Sequence, residues 1–343
     1  MKQIIETFKK IRKKQILEKK YNGHYAFVGI GNHSINNLYP VLNYLHVPLK
    51  YIVTKSETTA ALINNNNFAA VGTNNLDTVL NDEAVSGIFI SANPDSHYEL
   101  VKKCLFKGKN VFVEKPPCKT KEELDNLIAT ERQTGKNCVV GLQKRYSSCT
   151  KILCEKLNIE EVISYNYRFT TGLYPEGDKF FDLFIHPIDL ITFLFGTANL
   201  ISVTKTNANA DTIFLQLRHN NIIGNIEIST QYSWSTPNEK LIINTTDNIF
   251  EMTNHLELTQ EDKAGTLFSI PKEKIFNCIP EKRILFNGNN FLPVFENNQI
   301  VSQGYFSEIE TFLNLCEKRK AKNKSNLSSL INTYQLISDL KNV

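Results

Sequence analysis

The sequence predicts an α/β protein: a doubly wound parallel sheet followed by a second α/β domain with an open, mainly antiparallel sheet. Three observations carry this. From His24 to Gly141, short continuous apolar runs alternate with helical stretches, as expected of parallel strands covered on both faces. The first run feeds into Gly29-Ile30-Gly31, a glycine turn that opens a helix. After Tyr146 the texture changes. β-rich runs then follow one another without long helices between them, which favours antiparallel pairing.

Residues 25–28, 49–53, 87–90, 111–113 and 138–140 are apolar and β-rich, and each reads as a buried strand. Residues 35–45, 97–106 and 121–134 carry helical patterns, and 64–67 is a polar loop. Right-handed crossovers turn this βαβαβ order into a doubly wound sheet. Next come a strand over 161–169, a polar loop over 170–179 and an apolar helix that stops at Gly196. Runs at 200–204, 212–217, 222–229, 241–243 and 284–286 supply the second sheet. Helices near 306–319 and 327–340 close the chain. The expected division is a basic helical extension over 1–22, a first domain over 23–145 and a second over 146–343.

At 343 residues the chain can bury two proper cores. No apolar run approaches the roughly 20 residues that a membrane span needs, and the first residues lack the apolar core of a signal peptide. Seven scattered cysteines show no CxxC spacing, which fits reduced thiols in a cytoplasmic protein. The nearest pairs, Cys149/Cys154 and Cys104/Cys118, lack zinc-site spacing, so no metal is expected. The net charge of +4 is unevenly placed. Residues 1–20 hold eight Lys/Arg and two Asp/Glu, hence +6, and the remainder holds 31 and 33, hence −2. The body is nearly neutral, so no nucleic-acid partner is expected. In the basic segment Ile4, Ile5, Phe8, Ile11 and Ile16 fall within about 140° of a helical wheel. The expectation is a helix docked on the body or on another subunit with its lysines in water; a membrane surface or polyanion is the alternative.

Gly29-Ile30-Gly31-Asn32-His33-Ser34 follows the first strand and opens a helix. The first glycine permits a tight turn, the second lets backbone approach a pyrophosphate, and the phosphate charge sits on the helix N-terminus. Ser34 stands where the dinucleotide fingerprint has Gly or Ala. The second strand ends in Thr54-Lys55-Ser56, where an acid would bind a ribose 2′-hydroxyl. A cation with two hydroxyls suits a 2′-phosphate better, so the expected cofactor is NADP or NAD, with NADP favoured.

A third strand ends in Asn93-Pro94, and a fourth in Glu114-Lys115-Pro116-Pro117. Together with the glycine turn these point to a nicotinamide-dependent oxidoreductase. The blocks Asn93-Pro94-x-x-His97, Gly108-Lys109-Asn110-Val111 and Glu114-Lys115-Pro116-Pro117 resemble the glucose–fructose oxidoreductase/inositol dehydrogenase/rhizopine catabolism (Gfo/Idh/MocA) family. So does Asp182-Leu-Phe-Ile-His186-Pro-Ile-Asp189-Leu190. The resemblance implies a Rossmann domain, an α/β domain with an open sheet, homodimers or homotetramers built through that sheet, and sugar-like or cyclitol substrates.

It also implies roles. Lys115 would hydrogen-bond the reacting hydroxyl and stabilise charge developing on its oxygen. His186 would be the general base, a contribution of about 10²–10⁴ in rate. Asp182 would orient His186 or hold a substrate hydroxyl. Residues four apart share a helical face, but Pro187 belongs in a helix's first turn, so Asp182 can lie before the helix. Asp189 is expected to be structural. Asn93, Pro94, His97, Glu114, Gln143 and Arg145 would lie at the cofactor. Tyr167, Arg168, Tyr174 and Lys179, around the polar loop, would suit a sugar carrying a negative group. Tyr232 and Trp234 are expected to pack.

These features predict hydride transfer between a nicotinamide and a secondary alcohol or ketone of a sugar, sugar derivative or cyclitol. Two alternatives share the fold. One is a redox-neutral sugar lyase or glycosidase that uses the nicotinamide transiently. The other is a non-catalytic ligand-binding regulator, since function belongs to sites and not to folds.

Overall fold

The structure, a computed structural model, describes residues 2–18, 20–66, 70–158, 161–174, 177–206, 209, 211–276, 280–288, 295 and 298–342. Helix α1 (Lys2–Leu17) precedes strand β1 (His24–Val28). There follow α2 (Tyr39–Tyr44), β2 (Leu49–Val53), α3 (Glu57–Asn65), β3 (Val71–Thr73), α4 (Leu76–Leu80) and β4 (Val85–Ile90). Then come α5 (His97–Phe106), β5 (Asn110–Glu114), α6 (Lys121–Thr134) and β6 (Cys138–Gly141). The six strands pair in parallel in the order β3-β2-β1-β4-β5-β6. The order reverses between β1 and β4, which opens a crevice at their carboxyl ends. Helix α6 starts on a capping box between Thr120 and Glu123 and ends at Gly135, φ +62°: stop and start signals of this kind were readable in the sequence.

One expected helix is broken. Residues 35–45 divide into a π-helical turn, Ser34–Leu38, and α2, with Pro40 in the first turn of α2. Proline has no N–H to donate, so the hydrogen-bond ladder changes register around it.

The second domain holds α7 (Ser148–Leu157), β7 (Val162–Thr170), α8 (Ile185–Phe195), β8 (Asn199–Lys205), β9 (Thr212–His219) and β10 (Ile222–Ser229). It continues through β11 (Asn238–Thr245), β12 (Asn248–Thr253), β13 (Glu257–Asp262), the short β14 (Thr266–Leu267) and β15 (Ile270–Pro271), and β16 (Lys282–Asn287). Eight strands form one sheet in the order β16-β13-β12-β11-β7-β10-β9-β8. Only β7 and β10 pair in parallel; the other neighbours are antiparallel. Along β7, Tyr165 and Tyr167 face inward while Asn166 and Arg168 face out. The Tyr165 ring lies across Gly224 on β10, where any Cβ would come within 1.9 Å of it. Strand β12 buries Phe250 and Met252 on one face, whereas at β13 buried polar groups take part of the inner face: Gln260 donates to Asn248 Oδ1 at 2.9 Å.

The last helices are α9 (Gln299–Ser302), α10 (Tyr305–Cys316) and α11 (Ile331–Asn342). Helix α10 returns to the first domain, where Phe312 packs edge-on at 4.9 Å from the Phe89 ring. A linear division at residue 145 therefore needs correction, because apolar residues of α10 complete the first core. Helix α11 packs on α8, with Thr333 Oγ1 2.9 Å from Thr192 Oγ1.

Helix α1 is not docked on the body. Residues 2–14 are exposed throughout, Ile4, Ile5, Phe8 and Ile11 among them; the side chain of Ile16 lies outside the described residues. Among the described residues no helix is long and apolar enough to cross a membrane. Nor does any described group of His, Cys, Asp and Glu have the arrangement of a metal site.

Candidate active site

The crevice at the ends of β1, β2 and β4 is a cavity of about 960 Å³. Gly29 (φ +92°) sits at its floor, and a Cβ there would lie 2.2 Å from the Ser91 carbonyl oxygen. A Cβ at Gly31 would meet nothing within 4 Å, so that backbone faces open space, as close approach to a pyrophosphate requires. Asn32 and His33 also line the cavity. Ser34 is fully buried: its hydroxyl donates to Gly31 O and accepts from Gly31 N, both at 2.9 Å. The unusual third position thus closes the turn from within.

On the far wall, Thr54 donates to Ser56 O at 2.8 Å and Ser56 caps α3. Lys55 is exposed and lines the cavity, and among the described residues it has no ion pair. Asn93 Oδ1 accepts from Asp95 N at 2.9 Å, and Pro94 starts a short 3₁₀ turn. His97 is buried between two carbonyls, Pro116 O at 2.8 Å and Ala92 O at 3.1 Å. It therefore faces away from the cavity and ties the Asn93–Pro94 loop to the Lys115–Pro116 segment. Burial lowers its pKa. The Lys115–Pro116 bond is cis.

Lys115 Nζ donates to the backbone carbonyl of Asp182 at 2.5 Å, joining the two domains. Burial lowers its pKa from 10.5. Asp182 lies in a π-helical turn, Phe180–Phe184, just before α8, and His186-Pro187 stands in the first turn of α8. The Asp182 carboxylate accepts from Tyr174 Oη and from Asp178 N, both at 3.0 Å. It does not bond His186, which makes no hydrogen bond among the described residues. Burial, then the charges of Lys115 and Lys144, push the His186 pKa well below 6.5. Asp182 and Tyr174 line a second hollow of about 520 Å³ that shares Asn93 and Asp95 with the first.

Residues 24–142 match the model for the GFO_IDH_MocA oxidoreductase family, NAD-binding Rossmann fold. This stretch is a Gfo/Idh/MocA-family domain. The uncharacterized oxidoreductase YhhX of Escherichia coli (strain K12) is 30% identical over 41% of this chain and 46% of its own length. The scyllo-inositol 2-dehydrogenase (NAD(+)) of Bacillus subtilis (strain 168) is 28% identical over 37% of this chain and 40% of its own. The chain thus spans less than half the length of these curated relatives. A solved dehydrogenase from Chromobacterium violaceum shares the fold over 94% of this chain and 95% of that one, with TM-score 0.76 at 19% identity.

Against this Gfo/Idh/MocA frame, several expected site residues stand elsewhere. Arg145 is buried, bonding Asp189 through Nε at 2.8 Å and Nη2 at 2.5 Å, and Lys324 O through Nη1 at 2.6 Å. It is held by partners within the fold and turned from the cofactor cavity. Asp189 is structural. Arg168 lies on the outer face of the second sheet, 3.1 Å from Glu227 and over the Tyr232 ring. Tyr167 points inward and donates to Glu239. Lys179 is paired with Asp211 at 2.9 Å. Gln143 reaches Tyr305 Oη at 3.4 Å. Trp234 and Tyr232 are half exposed, and Trp234 Nε1 donates to Leu173 O at 2.8 Å. Glu114 meets His33 Nε2 at 3.2 Å. Burial opposes protonation of His33, but Glu114 outweighs it and raises the pKa.

Two residues were not singled out by sequence reasoning. Lys144, beside Arg145, pairs with buried Glu239 at 2.5 Å. Glu239 also contacts His255 Nε2 at 3.2 Å. Burial opposes the charge on Glu239, but Lys144 and His255 hold its pKa well below 4.5. Lys144 stood inside a recognised segment; Glu239 had no motif around it.

The Arg145–Asp189 pair carries a prediction. Removing one partner of a buried pair strands the other charge. Asp189→Ala should therefore cost about 3–5 kcal/mol, measured by urea unfolding; an unchanged midpoint would refute the role.

Proposed function

We propose that the protein is an NAD(P)-dependent oxidoreductase that moves hydride between nicotinamide and a secondary alcohol or ketone of a sugar, sugar derivative or cyclitol. The observation that carries this is the bond from Lys115 to Asp182 O, one helical turn before His186, with Asp182 lining a hollow that shares Asn93 and Asp95 with the cavity at the Gly29–Ser34 turn. The cavity suits a dinucleotide in size, and bare backbone at Gly31 suits a pyrophosphate. The cyclitol relative supports the substrate class.

When bound, the nicotinamide supplies or accepts the hydride. Every other task falls to side chains. In oxidation, neutral His186 takes the proton of the reacting hydroxyl. The Lys115 ammonium steadies the oxygen as negative charge grows on it. Asp182 fixes Tyr174 and the 178–182 turn at the rim, placing a phenol and a carboxylate where sugar hydroxyls would lie. In reduction the proton runs back from His186.

Cofactor choice rests on Lys55. A 2′-phosphate would meet its ammonium at the end of β2, and such charge-assisted bonds contribute about 1.5–3 kcal/mol. The same reading places a second copy of the chain on the outer face of the second sheet, where Ile163, Ile201, Phe214 and Ile223 are exposed.

His186→Ala should lower turnover by about 10²–10⁴ while nucleotide affinity holds; unaltered turnover would refute the base assignment. A depressed His186 stays neutral as pH falls past 6.5, so oxidation should persist below that value and fade only deeper into acid. Lys115 loses its charge below 10.5, so the alkaline limb of kcat/KM should fall before that pH. Lys55→Asp should cost NADPH about ten- to a hundredfold in affinity and spare NADH, read by nucleotide fluorescence. An unchanged ratio would remove Lys55 from the site. Phe214→Glu should lower the mass seen by light scattering; a monomeric native protein would overturn the sheet-face assembly.

A further inference from the structure

Helix α1 has no place in the chemistry above, yet it is strongly patterned. Ile4, Ile5, Phe8 and Ile11 occupy one arc of about 120° and are 74%, 48%, 61% and 53% exposed. Lys2, Lys9, Lys10, Lys13 and Lys14 occupy the rest, with Glu6 the only acid among residues 2–14. An apolar stripe of this size in water is costly. It is also held at a fixed place. Tyr21 is buried, Lys20 pairs with Glu310, and Arg319 donates to Lys20 O at 2.6 Å. The backbone N–H groups of Asn22 and Gly23 both reach Glu317 Oε1, at 2.5 and 3.0 Å. The chain at residues 20–23, just after the helix, is therefore bonded to α10 and the residues that follow it.

We propose that α1 is a peripheral anchor that lays this protein on the anionic surface of a lipid bilayer. Charge and shape choose the occupant. A nucleic acid would take the lysines and leave the stripe in water. A second α1 would cover the stripe but bring two segments of charge +6 together. The protein's own body leaves the stripe bare. An anionic bilayer accepts both faces at once: apolar side chains at the acyl boundary and lysines among the headgroups. Arg12 falls within the stripe, between Phe8 and Ile5, where it can lay its stem along the apolar face and keep its guanidinium at the headgroups. Residues 20–23 adjoin the start of β1, whereas the Gly29–Ser34 turn leaves its far end. Docking by α1 thus leaves the nucleotide cavity open to water.

The test is flotation of the full chain with phosphatidylcholine vesicles, with and without phosphatidylserine. The native protein should float only with phosphatidylserine, and salt should release it. Phe8→Asp with Ile11→Asp should reduce partition at least about a hundredfold, and Lys9→Glu with Lys13→Glu at least about tenfold. Nucleotide titration confirms that both variants are folded. No flotation of the native protein would overturn the proposal. Equal flotation after Phe8→Asp with Ile11→Asp would also overturn it. Two other outcomes would name a different occupant and overturn it as well: RNA binding indifferent to that double variant points to a polyanion, and a drop in lipid-free mass caused by it points to a second copy.

Discussion

The arrangement depends on one buried ion pair. Arg145 follows the last strand of the first sheet, and Asp189 lies in the helix that carries His186. Their bond spans 44 residues of sequence, and neither charge is exposed. Burying two charges is unfavourable unless geometry is good and the remaining donors are satisfied. Here they are: Lys324 O and Ser329 take Nη1, and Thr333 donates to Asp189. The pair therefore fixes α8 relative to the end of β6 and to the segment before α11. A second tie, from Lys115 Nζ to Asp182 O, joins the turn before α8 to the end of β5.

The residue next to Arg145 uses the opposite side of the same turn. Lys144 enters the cleft and pairs with Glu239, which also takes the Tyr167 hydroxyl and faces His255. Buried carboxylates need such company. The result is a site in which two ammonium groups, Lys115 and Lys144, act on one unbonded imidazole. With burial, their charges favour the neutral form of that imidazole.

Much of this was legible in advance, for physical reasons. Parallel strands buried on both faces read as unbroken apolar runs, and the glycine turn and Glu-Lys-Pro block fall at strand ends, so five strands of the first sheet could be read from sequence; the edge strand β3, only Val71–Thr73, is too short to show such a run and was missed. Lys115 and His186 came with their blocks. Arg145 did not: a motif shows that a residue is constrained, and a buried partner elsewhere in the chain constrains as firmly as a cofactor. Tyr167 and Arg168 were grouped together, although neighbours on a strand point to opposite faces; one of them had to leave the interior. Glu239 was illegible, since its meaning comes wholly from Lys144, Tyr167 and His255, all distant in sequence. Strand β13 was missed in part because buried polar side chains, Gln260 bonded to Asn248 of β12, fill places that apolar ones usually mark.

The glycine turn shows how a departure from a fingerprint can be made good locally. Ser34 replaces the third small residue, and a free hydroxyl there would be an unsatisfied buried group. It is instead spent on Gly31, once as donor and once as acceptor, which stiffens the turn at the point where backbone faces the cavity. The neighbouring His33 reaches across to Glu114. Behind Glu114, burial and that residue's charge push the Glu308 carboxyl well above its usual range. Glu114 itself favours the imidazolium of His33. Since Glu114 immediately precedes Lys115, the Gly29–Ser34 turn and the strand that presents the lysine are joined by one contact between side chains.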